Sequence, residues 1–85
     1  MPQFNWEIVR YNIVEAHEEL ERIEHLILQN ELTEEGFRSS LEHAFHHLNF
    51  AWNIRRVTTE RYSEMADEDF NSWSKFPSEL EAFKV

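Results

Sequence analysis

Four residues, Asn30 to Thr33, separate two long amphipathic runs, and that gap has room only for a tight turn. Helices joined by so short a connection lie side by side and antiparallel. The chain is therefore constrained to a helical hairpin before its other features are considered.

The first run carries Trp6, Val9, Ile13, Ala16, Leu20, Ile23 and Ile27 at alternating spacings of three and four. That is a heptad seam, the pattern with which one helix faces another. Asn5 is placed to cap it, and Asn30 takes the next slot and ends it, so the first helix is expected over about residues 6–30. Near its start Ile8, Tyr11 and Val14 widen the apolar surface. From Glu15 to His25 only the seam is apolar.

The second run is expected to be helical over about residues 34–57. Thr33 can cap it, Glu34 and Glu35 suit its positive N-terminal end, and Leu32 can staple onto Phe37. At 100° per residue it has two apolar stripes. Phe37, Leu41, Ala44, Phe45, Leu48, Ala51 and Trp52 form one; His43, His47, Phe50, Ile54 and Val57 form the other. A helix with one wet face would carry Glu and Lys at the second set, so both sides require cover. Folding at Asn30–Thr33 sets Ile27 opposite Phe37, Leu20 opposite Ala44 and Ala16 opposite Leu48. It also brings Glu24 near Arg38 and Glu19 near His47.

Composition agrees with an all-α chain. One glycine and two prolines in 85 residues leave little material for β-turns, and residues 1–85 make one helical domain. A chain of this size buries only about 60% of its unfolded surface, so a lone monomer is marginal. With no cysteine, neither disulfides nor a thiolate zinc site can help. The formal net charge of −9 argues against direct nucleic acid binding and against adsorption on anionic membranes. Nothing near Met1 reads as a signal peptide and no apolar run is long enough to span a bilayer, so a cytoplasmic protein is expected.

After Thr59 the pattern weakens. Tyr62, Met65, Phe70, Trp73, Phe76 and Phe83 carry the apolar surface at irregular spacing. Asp67 is a candidate cap for a short helix to about Lys75, Pro77 stops it, and Ser78 with Glu81 forms a capping box for a last turn. Such a segment cannot fold alone. It is expected to lie over the open end of the hairpin, where Ile8, Tyr11, Val14, Ile54 and Val57 are in excess.

Three groups of side chains are candidate sites. His43 and His47 are four apart on one helical face, a spacing that lets two imidazoles meet one metal ion; Glu19 is expected across from them, with Glu15 one turn further along the same side of the first helix, so that one or two carboxylates could join the set. Zinc or a similar divalent ion is the cofactor this set would take; the alternative is partly buried rings bonded to Glu19 or a carbonyl. His17, Glu21 and His25 form a ladder in steps of four, better explained as a solvated face with local ion pairs. Arg55 and Arg56 make the only basic patch, and Arg55 is expected to lay its stem on the seam opposite Val9. No phosphate loop, nucleophile elbow or reactive cysteine is present, and no catalytic residue is assigned.

The sequence thus leads to an all-α hairpin with a short helical C-terminal segment, dimerising into a four-helix bundle through His43, His47, Phe50 and Ile54. The expected function is that of a small, non-enzymatic interaction or regulatory protein acting as a homodimer. One alternative is a metal-binding protein using His43, His47 and Glu19. A second is an acidic mimic that captures a basic nucleic-acid-binding protein.

Overall fold

A computed structural model describes residues 3–80. It contains α1 (Trp6–Leu28), α2 (Glu34–Asn53), α3 (Thr59–Ser63) and α4 (Asp67–Trp73), with no strand among the described residues. The two long helices pack against each other as an antiparallel hairpin. Among the described residues no helix is long and apolar enough to cross a membrane. Glu81, placed above in the capping box of a last turn, and Phe83, placed above among the tail's apolar residues, lie outside the described residues.

The ends of the long helices follow from their local sequence. The Asn5 side chain accepts the Ile8 N–H at 3.5 Å. Its own amide donates to the Val57 carbonyl at 2.9 Å, so one residue both caps α1 and ties it to the chain beyond α2. At the other end Asn30 adopts φ 60°, the left-handed conformation that Asn tolerates better than most residues. The Glu31 N–H then reaches the Leu26 carbonyl at 2.9 Å and the Asn30 N–H reaches Ile27 at 3.0 Å. This pair of bonds closes a helix in the Schellman manner. Thr33 Oγ1 accepts the Gly36 N–H at 3.0 Å and starts α2 as expected.

Helix α2 stops at Asn53, short of the expected Val57. The β-branched residues Ile54, Val57, Thr58 and Thr59 favour helix weakly, and Thr58 instead caps α3, accepting the Arg61 N–H at 3.1 Å. That early stop turns the tail back onto the hairpin. Asp67 is the first residue of α4 rather than its cap. The reach-back is made by Asp69, whose carboxylate accepts the Ala66 N–H at 2.9 Å.

The tail covers the open end of the hairpin. Ile8, Phe50 and Ile54 form the buried cluster there, with Val9, Val57, Tyr62, Met65 and Trp73 packed around it. Phe50 sits edge-on to Tyr62, Phe70 and Trp73, and Tyr62 stacks with Trp73. Asn49 and Asn53 hold the end of α4 by donating to the carbonyls of Ser74 and Trp73, both at 2.8 Å. These are carbonyls that a helix C-terminus leaves without a partner of its own.

The contact line between α1 and α2 is not the expected seam. Buried on α1 are Ile8, Asn12, Ala16 and Ile23; on α2 they are Ser40, Ala44, His47, Phe50 and Ala51. Leu20 and Leu48, expected to be central, remain 45% and 41% exposed. The helices meet where the two stripes of α2 adjoin, and small residues (Ala16, Ser40, Ala44 and Ala51) permit their close approach. That rotation gives one stripe to the tail. The pairing also shifts by about one helical turn: Glu19 meets His43 instead of His47, and Arg38 pairs with Glu42 of its own helix at 3.5 Å.

Candidate functional site

Two features stand out, on opposite sides of the hairpin. The first is a chain of polar groups between α1 and α2 on the tail side. Asn12 is completely buried. Its amide nitrogen donates to the Ile8 carbonyl at 2.9 Å and to the Tyr62 hydroxyl at 3.2 Å. Its oxygen lies 2.8 Å from Nδ1 of the buried His47. Since the Ile8 carbonyl can only accept, the Asn12 oxygen must be the atom facing the imidazole, and His47 Nδ1 carries the proton.

His43 is arranged in the same way. Its Nδ1 is 2.9 Å from Glu19 Oε2, and the other oxygen of Glu19 accepts from Arg22 at 2.9 Å. An ionised carboxylate only accepts, so His43 Nδ1 is also the protonated nitrogen. The hydrogen bond from His43 holds the Glu19 carboxyl below its ordinary value, aided by the Ser40 hydroxyl and the Arg22 charge and opposed by burial. Burial holds His47 below the ordinary imidazole value, as do the neighbouring His46 and His43, while Glu15 and Glu19 act the other way.

With both Nδ1 positions protonated, the two rings turn their Nε2 atoms toward each other at 3.1 Å. Glu15 Oε1 lies 4.0 Å from His47 Nε2. Among the described residues no three His, Asp or Glu side chains already close on one metal-sized point. Glu19, expected as a metal ligand, sits on the far nitrogen of His43, because the shifted register brings Glu15 toward the Nε2 atoms. His46 lies against Phe50 and Phe70 and takes no part.

The expected interface residues are divided. Phe50 and Ile54 are 2% and 0% exposed beneath the tail, and His47 is buried between the helices. His43 alone of the four is substantially exposed. The His43–Ile54 stripe therefore offers no continuous surface to a second chain: the turn after Asn53 lets Tyr62, Met65 and Trp73 take that place.

The second feature is the stripe the rotation leaves open. Ile13, Leu20 and Ile27 are 45%, 45% and 57% exposed, and Phe37 and Phe45 are 40% and 58% exposed. At 100° per residue the α1 stripe lies roughly 75° and the α2 stripe roughly 110° round its helix from the contact line, in the same rotational sense. In an antiparallel pair that places both on one side, away from the tail. The apolar surface continues to the turn, where Ile27, Leu32, Thr33, Glu34 and Phe37 line a shallow hollow.

His17, Glu21 and His25 are exposed on α1. Arg55 stacks over the Trp52 ring, 3.9 Å from its centre, donates to the Trp52 carbonyl, and pairs with Glu79 at 3.3 Å. It closes the foot of α2 and does not present a basic surface. No family model, curated protein or solved structure matches the chain.

Proposed function

We propose that this chain is a non-enzymatic association module that acts as a homodimer, two hairpins joining through the open stripe into a four-helix bundle. The observation that carries the reading is the half-exposed set Ile13, Leu20, Ile27, Phe37 and Leu48 on one side of the hairpin. On α1 these residues, with Trp6, repeat every seven positions, the spacing that packs against helices of like repeat. A second hairpin brings such helices in pairs, and a two-fold axis sets the stripe against its own copy.

Area supports the same arrangement. Covering the exposed parts of these side chains on two chains removes on the order of 1,000 Å², the lower bound for a specific interface. A soluble monomer rarely leaves so continuous an apolar surface in water. The formal charge of −9 on each chain opposes association at long range, but salt at physiological strength screens it beyond about 8 Å. The test is light scattering at about pH 7.5 on the wild type and on Leu20→Glu. The wild type should have twice the chain mass at tens of micromolar. Leu20→Glu should be monomeric with unchanged helicity, because Leu20 is not needed within one hairpin. A variant that remains dimeric would rule out this face.

A further inference from the structure

We propose that His43, His47 and Glu15 form a binding site for one divalent transition-metal ion of the zinc class, with Glu19 and Asn12 as the residues that orient its two imidazoles. The site is on the tail side of the hairpin, so it is independent of the association face.

Both Nδ1 atoms are committed as donors, His43 to the Glu19 carboxylate and His47 to the Asn12 oxygen. In neutral rings each Nε2 then carries a lone pair and no proton. The two unprotonated nitrogens face each other across 3.1 Å, a contact that repels unless a positive charge is bound by both. A divalent ion is that positive charge. Zinc takes imidazole nitrogen at roughly 2.0–2.1 Å, and two nitrogens 3.1 Å apart then subtend about 100° at the ion, within reach of tetrahedral geometry.

The surroundings have the character of a metal site. Ligating histidines usually donate their second nitrogen to a carboxylate or a carbonyl-type oxygen, which fixes the tautomer and ring orientation. Here each ring has such a partner, and each partner is itself held: Glu19 by Arg22, and Asn12 by the Ile8 carbonyl and the Tyr62 hydroxyl. The third donor is Glu15. Its Oε1 is 4.0 Å from His47 Nε2, too far to complete a three-donor set as it stands, so metal binding requires this partly exposed side chain to rotate toward the two nitrogens. Water completes the set from the exposed side of His43, whose side chain is 50% exposed. Two imidazoles and a carboxylate suit zinc, cobalt, nickel or copper in preference to calcium or magnesium, which favour all-oxygen sets.

The experiment uses the full chain stripped with chelator and then titrated calorimetrically with zinc chloride, alongside thermal melts. One equivalent per chain should bind and the melting temperature should rise; calcium chloride should do neither. The variants avoid His47, whose burial makes it a poor test of binding alone. His43→Ala should abolish the high-affinity site, Glu15→Ala should weaken it, and Glu19→Gln should weaken it by about 10–100-fold through loss of orientation. A His17→Gln, His25→Gln double variant should titrate like the wild type. Long-range proton–nitrogen spectra should show the Nε2 signals of His43 and His47 moving on zinc addition while both Nδ1 atoms stay protonated. No heat and no melting shift in the wild type would overturn the site and leave a shared proton between the rings. Unchanged binding in His43→Ala would overturn it equally, by placing the ion elsewhere. Unchanged binding in Glu15→Ala would overturn the three-donor set.

Discussion

Asn12 fixes the ring of His47: its oxygen is 2.8 Å from Nδ1 while its amide nitrogen is committed to the Ile8 carbonyl at 2.9 Å. This polar link stands where an ordinary two-helix seam would place a leucine. A buried group that loses its partner costs about 1–3 kcal/mol. Asn12→Ala strands both the His47 Nδ1–H and the Tyr62 hydroxyl, so it should lower stability by about 2 kcal/mol. Tyr62→Phe removes only the 3.2 Å bond to Asn12 and should cost about 1 kcal/mol or less. Urea denaturation of both variants checks the order, and a reversed order would mean that Asn12 is not the centre of the network.

The hairpin turn depends on one left-handed residue. Asn30 has φ 60°, a conformation costing most L-residues about 1–2 kcal/mol. Asn30→Val should therefore destabilise by about that amount. Asn30→Gly should be neutral or slightly stabilising. Thermal melts of the pair test it. A neutral Asn30→Val would show that the turn adopts another geometry.

Acid should weaken the fold in two stages when chelator is present. Burial holds His46 and His47 below the ordinary imidazole value of 6.5, so the unfolded chain takes up these protons first. Facing them are His43 on the same helix, Glu15 and Glu19 across the hairpin, and the aromatic ring of Phe70 from the tail. Their contribution is full above about pH 6.5 and is lost as pH falls through the folded pKa values. Glu19, held low by its bond from His43, contributes above its ordinary 4.5 and loses that contribution on further acidification. Urea midpoints at about pH 7.5, 6 and 4 should fall in that order. A flat profile from 7.5 to 6 would show that the rings are not buried in neutral form.

The tail is fastened by aromatic packing and by two amides. Trp73 lies against Phe50 and Tyr62 and is partly buried, so Trp73→Ala should cost about 2–3 kcal/mol and increase binding of a hydrophobic dye. Asn53→Ala removes donors to the Trp73 and Lys75 carbonyls and should cost about 1 kcal/mol. Hydrogen exchange at the end of α4 should quicken in both. Unchanged exchange would place the tail off the hairpin.

Much of this was legible in the sequence, and what escaped it has a physical reason. Asn5, Asn30 and Thr33 bound their helices through chemistry that operates within a few residues, so inspection finds them. The tail's place over Ile8 and Ile54 followed from apolar surface with no other cover. Which stripe of α2 would turn inward did not follow, because apolar residues occupy most of its circumference and periodicity alone cannot rank them. Asn12 has no sequence signal, since a buried asparagine and a surface one read alike. The His43–His47 spacing was visible. Glu15 and Glu19 were both placed on that side of the first helix, but which of them faces the Nε2 atoms was not legible, because one turn of register decides it.

Sedimentation equilibrium decides whether the stripe holding Ile13, Leu20 and Ile27 is closed by a second copy of the chain. The chain mass is 10.4 kDa. At about 50 µM and pH 7.5 a single species of twice that mass is expected, dissociating on dilution. A species of 10.4 kDa at that concentration would mean that no second copy covers the stripe.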